Sequence, residues 1–281
     1  MQKLSVLLLS ALFLAACGND KPDTSVQTTP DNAQTSEVVP VERYVVATEA
    51  HYPPFDYRDD KGEIIGFDVD ILKAIAQNQG FAVDFIHEER SKLFDNLDEG
   101  KSQILGACLG ITFERLARAE ISTPYAFAPN VIMSTKDNAV TGLASLSGKK
   151  VAVQGGSFSA KLLQDIPNVQ VTETNSLFEA YKAFAMGEVD YVVGDAGSLE
   201  HFHKNNPIEG KEIELTVYDK TEDTRVGFAV QKGNTELLNK INTGLKNLQD
   251  DGTYDKIYAK WFGDNSTMRI PAEFMGKPVG K

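Results

Sequence analysis

The sequence has few cysteines and a shortage of positive charge. Cys17 and Cys108 are the two cysteines among 281 residues, and 28 lysines and arginines stand against 40 aspartates and glutamates. Two cysteines cannot build a disulfide framework. The formal net charge of −12 argues against nucleic acid or an anionic lipid surface as partner, because both attract a basic face. It does not exclude a small zwitterionic ligand, which responds to its local site.

Signatures of metal and dinucleotide sites are also lacking. The four histidines have no carboxylate companions at ligand spacing, and His201 and His203 would point apart on a helix. The glycines at 155 and 156 lack the spacing of a dinucleotide loop. We therefore predict no metal and no cofactor. The hydrophobic share of 42% and charged share of 24% are those of a soluble globular protein, long enough for two compact domains.

The first 16 residues are predicted to be a processed signal peptide. Lys3 supplies a positive charge, and the apolar run from Leu4 to Ala16 is too short to span a bilayer. The run Leu14-Ala15-Ala16-Cys17 resembles a bacterial lipobox, which implies cleavage before Cys17 and lipid attachment to its thiol. An acylated Cys17 could form no disulfide, and its lipid chains would hold the protein on a membrane. The alternative is a plain secretory signal with an incidental cysteine.

A polar segment follows the signal peptide. Residues 17–42 are rich in Thr, Ser, Asp, Asn, Gln and Pro and show no periodicity. Such a segment cannot bury enough apolar area to offset its ordering entropy. We predict that it is a disordered tether between a lipidated Cys17 and the folded body.

A strand, loop and helix around residues 104–115 offer groups suited to a small acid. The apolar run Ile104 to Ala107 precedes a loop of small residues, and Thr112 stands where a helix N-cap would. Free N–H groups at a helix start favour an anion, and Arg115 adds a fork of donors that matches a carboxylate. The alternative is an ordinary strand-to-helix turn with a surface arginine.

The rest of the body alternates short apolar strands with amphipathic helices, which predicts an α/β fold with largely parallel sheets. Ligands of such sheets lie beyond the carboxyl ends of the strands. The loops of Tyr52 and Arg115 both lie at such ends, so they can face one cleft. Ser157 opens a second helix, with a possible anion site. Asp195 ends a later strand, where it could meet an ammonium group, cap the next helix, or do both.

Four motifs occur in the order seen in polar amino-acid-binding proteins, the extracytoplasmic receptors of ABC importers. They are Tyr52-Pro53-Pro54-Phe55, Gly66-Phe67-Asp68-Val69-Asp70, Ile111-Thr112-Phe113-Glu114-Arg115 and the run from Gly252 to Phe262. This resemblance covers about Tyr44 to Phe262. It implies a two-lobed periplasmic-binding-protein fold of type II with two hinge crossover strands.

The implied lobes are built from separated parts of the chain. The first lobe would hold residues 43–132 and 231–265, and the second would hold residues 138–224. The hinges would lie near 132–136 and 225–230, so that the lobes rotate without unfolding either core.

Ligand-binding roles carry over from the family residue by residue. The resemblance implies that Arg115 pairs with the ligand α-carboxylate and that Asp195 takes the α-ammonium. Ser157 would donate to the carboxylate from the second lobe, and Tyr52 would pack over the ligand. Glu49 falls where some members carry an acid that reaches toward the ligand side chain.

Three positions depart from the family pattern. Arg90 stands where an aromatic wall is usual, Cys108 replaces a Gly or Ser, and Gly110 replaces a Ser or Thr, losing a hydroxyl donor but keeping its N–H. Arg90 is either a surface residue or faces the cleft, where it would favour a polar or acidic ligand side chain or pair with Glu49. For Cys108, a small buried side chain is the simpler interpretation than a reactive thiol.

The resemblance implies a monomeric, non-catalytic receptor in the cell envelope, lipid-anchored and facing the periplasm or the exterior. It would bind a polar amino acid, or a close derivative such as cystine, and deliver it to an ABC permease in the membrane. Two alternatives remain. One is a dehydratase-like enzyme on the same fold, with Glu49 or, less suitably, His51 as its acid or base. The other is a sensory or adhesive surface lipoprotein.

Overall fold

The computed structural model describes residues 40–218, 225–263, 268–270, 274 and 276–277. The predicted signal peptide, the predicted lipidation of Cys17 and most of the predicted tether lie outside these ranges and stay predictions. Within them, no helix combines the length and the apolar character needed to cross a membrane.

Strands and helices alternate along the described chain. The strands are β1 (Arg43–Thr48), β2 (His51–Tyr52), β3 (Asp56–Arg58), β4 (Ile64–Ile65), β5 (Ala82–His87), β6 (Ile104–Leu105), β7 (Ala119–Ile121), β8 (Ala126–Phe127), β9 (Asn130–Thr135), β10 (Lys150–Gln154), β11 (Gln170–Thr174), β12 (Tyr191–Asp195), β13 (Ile213–Val217), β14 (Arg225–Val226) and β15 (Ala229–Gln231). The α-helices are α1 (Phe67–Gln79), α2 (Leu93–Asp98), α3 (Phe113–Arg118), α4 (Phe158–Gln164), α5 (Leu177–Ala185), α6 (Ala196–Asn205), α7 (Thr235–Asp250) and α8 (Thr253–Phe262).

The first sheet has the strand order β5-β1-β6-β15-β7. β1 is parallel to β5 and β6, whereas β15 is antiparallel to β6 and β7. Successive side chains of a strand point to opposite faces. Val46 and Ile104 therefore pack in the core with α1, α7 and α8, and Ala47 and Leu105 pack with α2. This sheet and helices α1–α3, α7 and α8 form the first lobe.

The second sheet has the strand order β11-β10-β12-β9-β13. β10 is parallel to β11 and β12, and β9 is antiparallel to β12 and β13. Ala152 and Val192 face the core shared with α5 and α6, while Val151 and Val193 face a smaller core with α4. This sheet and helices α4–α6 form the second lobe.

In each sheet four of the five strands run in one direction, as the prediction of largely parallel sheets requires, and one strand runs against them, β15 in the first sheet and β9 in the second. The parallel strands follow from local strand–helix–strand units, as the sequence pattern indicates. The antiparallel strands β9 and β15 each enter their sheet from the opposite lobe, after a crossing of the chain. Strand direction after a long crossing depends on tertiary contacts, and local periodicity does not record it.

The two lobes are joined through a short antiparallel pair, β8 with β14. The chain leaves the first lobe through β8 and returns to it through β14. The predicted hinge at residues 132–136 falls largely within β9, which lies between β12 and β13 of the second sheet. The predicted hinge at 225–230 divides into β14 and part of β15. An apolar run looks the same in a crossing segment and in a sheet strand, so the sequence could not separate them.

The start of α1 bears on the loop that leads to Arg115. Asp68 does not cap this helix, whose N-cap is Gly66 at φ 143° without a side-chain cap. A Cβ on Gly66 would lie 2.0 Å from the Phe55 carbonyl oxygen, so this close approach requires glycine. The buried Asp68 carboxylate instead accepts a hydrogen bond from the Cys108 backbone N–H at 2.7 Å. Asp68 thereby fixes the loop that leads to Arg115.

Candidate functional site

A cavity lies between the two lobes, with about 490 Å³ of space not filled by atoms, part of it open to solvent. Seven of the eight residues predicted to bind a ligand line it. They are Tyr52, Arg90, Cys108, Gly110, Arg115, Ser157 and Asp195. The eighth, Glu49, is buried directly behind Arg90. Residues that lie up to 143 positions apart in the chain (Tyr52 and Asp195) therefore reach one space.

Arg115 supplies positive charge from the first lobe. Thr112 caps α3 by accepting a hydrogen bond from the Arg115 backbone N–H at 3.3 Å, which confirms the predicted cap. The Arg115 Nη1 donates to the Gly110 carbonyl oxygen at 2.8 Å, and the guanidinium lies 5.8 Å from the Phe94 ring centroid. Among the described residues it has no carboxylate partner. Burial, with the nearby Arg90 charge, lowers the pKa of Arg115 to about 10. An anion in the cavity would relieve this cost.

Asp195 supplies a carboxylate from the second lobe. It ends β12 and caps α6, because its Oδ1 accepts a hydrogen bond from the Ser198 backbone N–H at 2.9 Å. The other oxygen, Oδ2, is buried and has no hydrogen-bond partner among the described residues. Burial raises the pKa of Asp195 to about 7. A buried carboxylate oxygen without a partner is costly, so the site is suited to receive a cationic donor.

Ser157 places a hydroxyl at the same cavity. It is the N-cap of α4 and accepts a hydrogen bond from the Ala160 backbone N–H at 3.1 Å. Because a hydroxyl both accepts and donates, this contact leaves its proton for another acceptor. The turn before it, at Gly155 and Gly156, follows directly from the end of β10 as the sequence predicts.

Arg90 faces the interior, so the surface alternative is wrong. Its guanidinium pairs with the Glu49 carboxylate, and the side chains of the two residues are 8% and 5% exposed. The Arg90 guanidinium also lies over the Tyr52 ring, 5.6 Å from its centroid. The predicted alternative, in which Arg90 faces the cleft and pairs with Glu49, is confirmed.

Gln154 is the most informative residue that the sequence prediction missed. It is buried, lines the cavity, and donates from its side-chain amide to the second oxygen of Glu49. Glu49 therefore accepts from Arg90 in its own lobe and from Gln154 in the other. Gln154 ends β10 just as Asp195 ends β12, so the rule of strand ends could have found it. With both oxygens engaged, Glu49 is poorly placed to act as a free general acid or base.

Cys108 and Gly110 lie in the loop between β6 and α3. Cys108 is a buried free thiol with a φ of 45°, and burial raises its pKa well above the ordinary value. It is thus a protonated packing residue, as the simpler interpretation predicts. Gly110 forms an isolated bridge with Val226 of β14, next to the connection between the lobes. The described residues contain no cluster of three or more His, Cys, Asp or Glu able to hold a metal ion.

Side chains also join the lobes at the edges of the cleft. Lys161 of α4 pairs with Glu114 of α3, and both side chains are largely exposed. On another edge, the Tyr57 ring of β3 packs against Trp261 of α8 in the first lobe and lies 6.0 Å from the His201 ring of α6 in the second. These contacts and the bond from Gln154 to Glu49 hold the lobes against each other in this conformation.

The fold and the charged cavity define a two-lobed ligand-binding protein of the periplasmic-binding type. Residues 44–264 match the profile of the bacterial extracellular solute-binding proteins, family 3. The chain belongs to this family.

Named relatives and solved structures agree with this assignment. A probable histidine-binding protein of Neisseria gonorrhoeae is 32% identical over 262 residues, covering 92% of this chain and 94% of the relative. The putative ABC transporter arginine-binding protein 2 of Escherichia coli K12 is 34% identical over 222 residues, covering 77% and 89%. Among solved structures, an ancestral arginine-binding protein bound to glutamine matches with a TM-score of 0.73 and 38% identity, covering 79% of this chain and 98% of that one.

Proposed function

We propose that this protein is the extracytoplasmic receptor of an amino-acid ABC importer, which binds a polar amino acid between its lobes and delivers it to a membrane permease. One observation carries the proposal: Arg115 and Asp195 line the same cavity, and among the described residues Arg115 has no carboxylate partner and Asp195 Oδ2 has no hydrogen-bond partner. A free amino acid carries the two charges that these groups lack. The relatives named as amino-acid-binding proteins of ABC transporters support the same function.

The proposed pose follows from the chemistry of the cavity walls. The ligand α-carboxylate would bind the Arg115 guanidinium and accept from the Ser157 hydroxyl, so that each lobe contributes a donor. The α-ammonium would donate to Asp195 Oδ2. Tyr52 would pack against the ligand. The side chain of the ligand would extend toward Arg90. Because both lobes supply binding groups, ligand would stabilise the closed arrangement.

The connection through β8 and β14 is the proposed hinge, in place of residues 132–136. Each strand of this pair is two residues long and lies between elements of different sheets. A rotation there changes few backbone angles and leaves both five-stranded sheets intact. In the open form, the contacts of Lys161 with Glu114 and of Gln154 with Glu49 would separate.

A screen by thermal unfolding tests the proposed function. The twenty amino acids with cystine and citrulline are added singly to the mature protein. A ligand at 100 times its Kd is expected to stabilise the folded state by about 2.7 kcal/mol, which raises Tm by roughly 5–10 °C for a chain of this size. One amino acid, or a small chemically related group, should give this shift. A flat response to the whole panel would contradict the proposed function.

Membrane anchoring through Cys17 is part of the same proposal and rests on the sequence alone. A Cys17→Ala variant is expected to lose incorporation of labelled palmitate and to leave the membrane fraction, because it lacks the thiol that would carry the lipid chains. Cys108→Ser, which changes the other cysteine, is the matched control and should keep both properties. Palmitate label that persists in Cys17→Ala would contradict lipidation at this residue.

A further inference from the structure

The Glu49 carboxylate is buried at the cavity, yet neither of its oxygens is available to a ligand. Glu49 is 4% exposed. One oxygen accepts from the Arg90 guanidinium and the other from the Gln154 side-chain amide. A buried carboxylate at a ligand site would ordinarily attract a cation from outside. Here the chain supplies the cation itself.

The Arg90 guanidinium also lies over the Tyr52 ring beside this carboxylate. A carboxylate next to an aromatic ring is a chemical environment that holds a guanidinium or ammonium group, through an ion pair and a cation–π contact. The Arg90 guanidinium makes both contacts, with its carbon 5.6 Å from the ring centroid. Arg90 therefore occupies the place that a basic ligand side chain would take.

The charges that remain fit the termini of an amino acid and leave no place for a further cation. Arg90 and Glu49 balance each other, while Arg115 and Asp195 stay without opposite charges in contact among the described residues. A basic ligand side chain would meet the Arg90 charge, and among the described residues that line the cavity it would find no carboxylate besides Asp195, which the ligand ammonium would occupy. In addition, the buried Nε of Arg90 has no hydrogen-bond partner among the described residues. This N–H is a donor that a ligand oxygen could satisfy.

We infer that Arg90 sets the specificity of this site: it excludes basic amino acids and selects an amino acid whose uncharged or acidic side chain offers a hydrogen-bond acceptor. The inference rests on the function proposed above and narrows its substrate class. It separates this chain from relatives whose names specify arginine or histidine. Exclusion would work by placing a fixed like charge in the path of the wrong ligand.

Calorimetry on wild type and Arg90→Ala with L-glutamine, L-glutamate, L-arginine and L-lysine tests the inference. Wild type is expected to bind glutamine or glutamate roughly a hundredfold more tightly than arginine or lysine, because like charges in a desolvated site repel strongly. In Arg90→Ala the Glu49 carboxylate and the Tyr52 ring become available, and arginine affinity should rise by roughly a hundredfold. Arg90→Lys is the matched control: it retains the charge and should still reject arginine.

Two results would overturn the inference while leaving the proposed function in place. One is wild-type protein that binds arginine or lysine as tightly as glutamine, or that binds a purely apolar amino acid in preference to all four. The other is an unchanged order of affinities in Arg90→Ala. Binding of no amino acid at all would instead contradict the proposed function, and the inference would fall with it.

Glu49→Gln gives a second test that does not depend on the folding of Arg90→Ala. This isosteric change keeps acceptor capacity beside Arg90 but removes the balancing charge, so the Arg90 cation acts on the ligand alone. The ratio of glutamate to glutamine affinity is expected to rise about tenfold. Glu63→Gln removes the same charge at an exposed position and should leave the ratio unchanged. A ratio that stays constant in Glu49→Gln would show that Arg90 does not face the ligand side chain.

Discussion

Replacing Arg115 with alanine is expected to abolish amino-acid binding in calorimetry, with an affinity loss of about 4 kcal/mol, or roughly a thousandfold. The guanidinium is the group proposed to hold the ligand α-carboxylate, and the described residues give it no other carboxylate. Its removal leaves the desolvated ligand carboxylate with the proposed Ser157 hydroxyl as donor but without an opposite charge in contact. A receptor with sub-micromolar affinity, on the order of 8 kcal/mol or more, would fall below detection.

Two further variants separate charge from geometry at this position. Arg115→Lys keeps the charge but loses the planar fork, so it should bind at an intermediate affinity. Arg118 lies on the same helix, is exposed, and pairs with Asp95 and Asp98. Arg118→Ala should therefore change the ligand affinity by less than about 0.5 kcal/mol. Unchanged affinity in Arg115→Ala would remove the central role assigned to this residue.

The positions of the binding groups could be predicted because they follow a local rule. Asp195 and Gln154 are the last residues of parallel strands, Glu49 follows the end of another, and Arg115 stands in the helix after β6. Strand ends are visible as the end of an apolar run, and neighbouring parallel strands end at the same edge of a sheet. The rule indicated the edge of each sheet at which the polar side chains would lie. It did not indicate which of these side chains would bond to each other.

The pairing of Arg90 with Glu49 is a contact that the rule of strand ends could not predict. The sequence left open whether Arg90 lies on the surface or in the cleft, because an arginine after a short polar segment can take either position. The decision depends on packing between residues 41 positions apart, and the bond from Gln154 to Glu49 spans 105 positions and two lobes. Such contacts follow from the closed tertiary structure. Local hydrophobic periodicity contains no information about them.

The predicted hinge at residues 132–136 differs from the one proposed above for a related reason. The segment from Asn130 to Thr135 is apolar enough for a crossing strand, and also for a strand inside a sheet. Its antiparallel partners, β12 and β13, follow it in the chain by many residues. The proposed hinge strands, β8 and β14, have two residues each and are too short to give a periodic signal. Short linking strands are thus the features that a sequence pattern describes least well.

The Asp195→Asn variant is expected to lose roughly a hundredfold in amino-acid affinity, about 3 kcal/mol, while the protein keeps nearly its full stability. Asparagine is as good an N-cap as aspartate, so α6 should retain its first hydrogen bond. What disappears is the negative charge proposed to receive the ligand ammonium. Asp195→Ala would also lose the cap and about 1 kcal/mol of stability, so chemical denaturation of the two variants separates capping from binding. Asp190→Asn, at an exposed residue just before β12, is the control and should leave both properties unchanged.

The pH dependence of binding provides an independent readout of the same charge. Burial raises the pKa of Asp195 to about 7 in the ligand-free protein, whereas the bound ammonium requires the ionised carboxylate. Below pH 7 the ligand must therefore displace a proton, and wild-type Kd should rise toward tenfold for each unit of falling pH, with proton release detectable by calorimetry in buffers of different ionisation enthalpy. Above pH 7 the Kd should level off until the ligand amine itself loses its proton. In Asp195→Asn this acid limb should be absent, because no carboxyl titrates against the ammonium. A wild-type Kd that stays constant from pH 7 to pH 5 would show that the ammonium binds elsewhere.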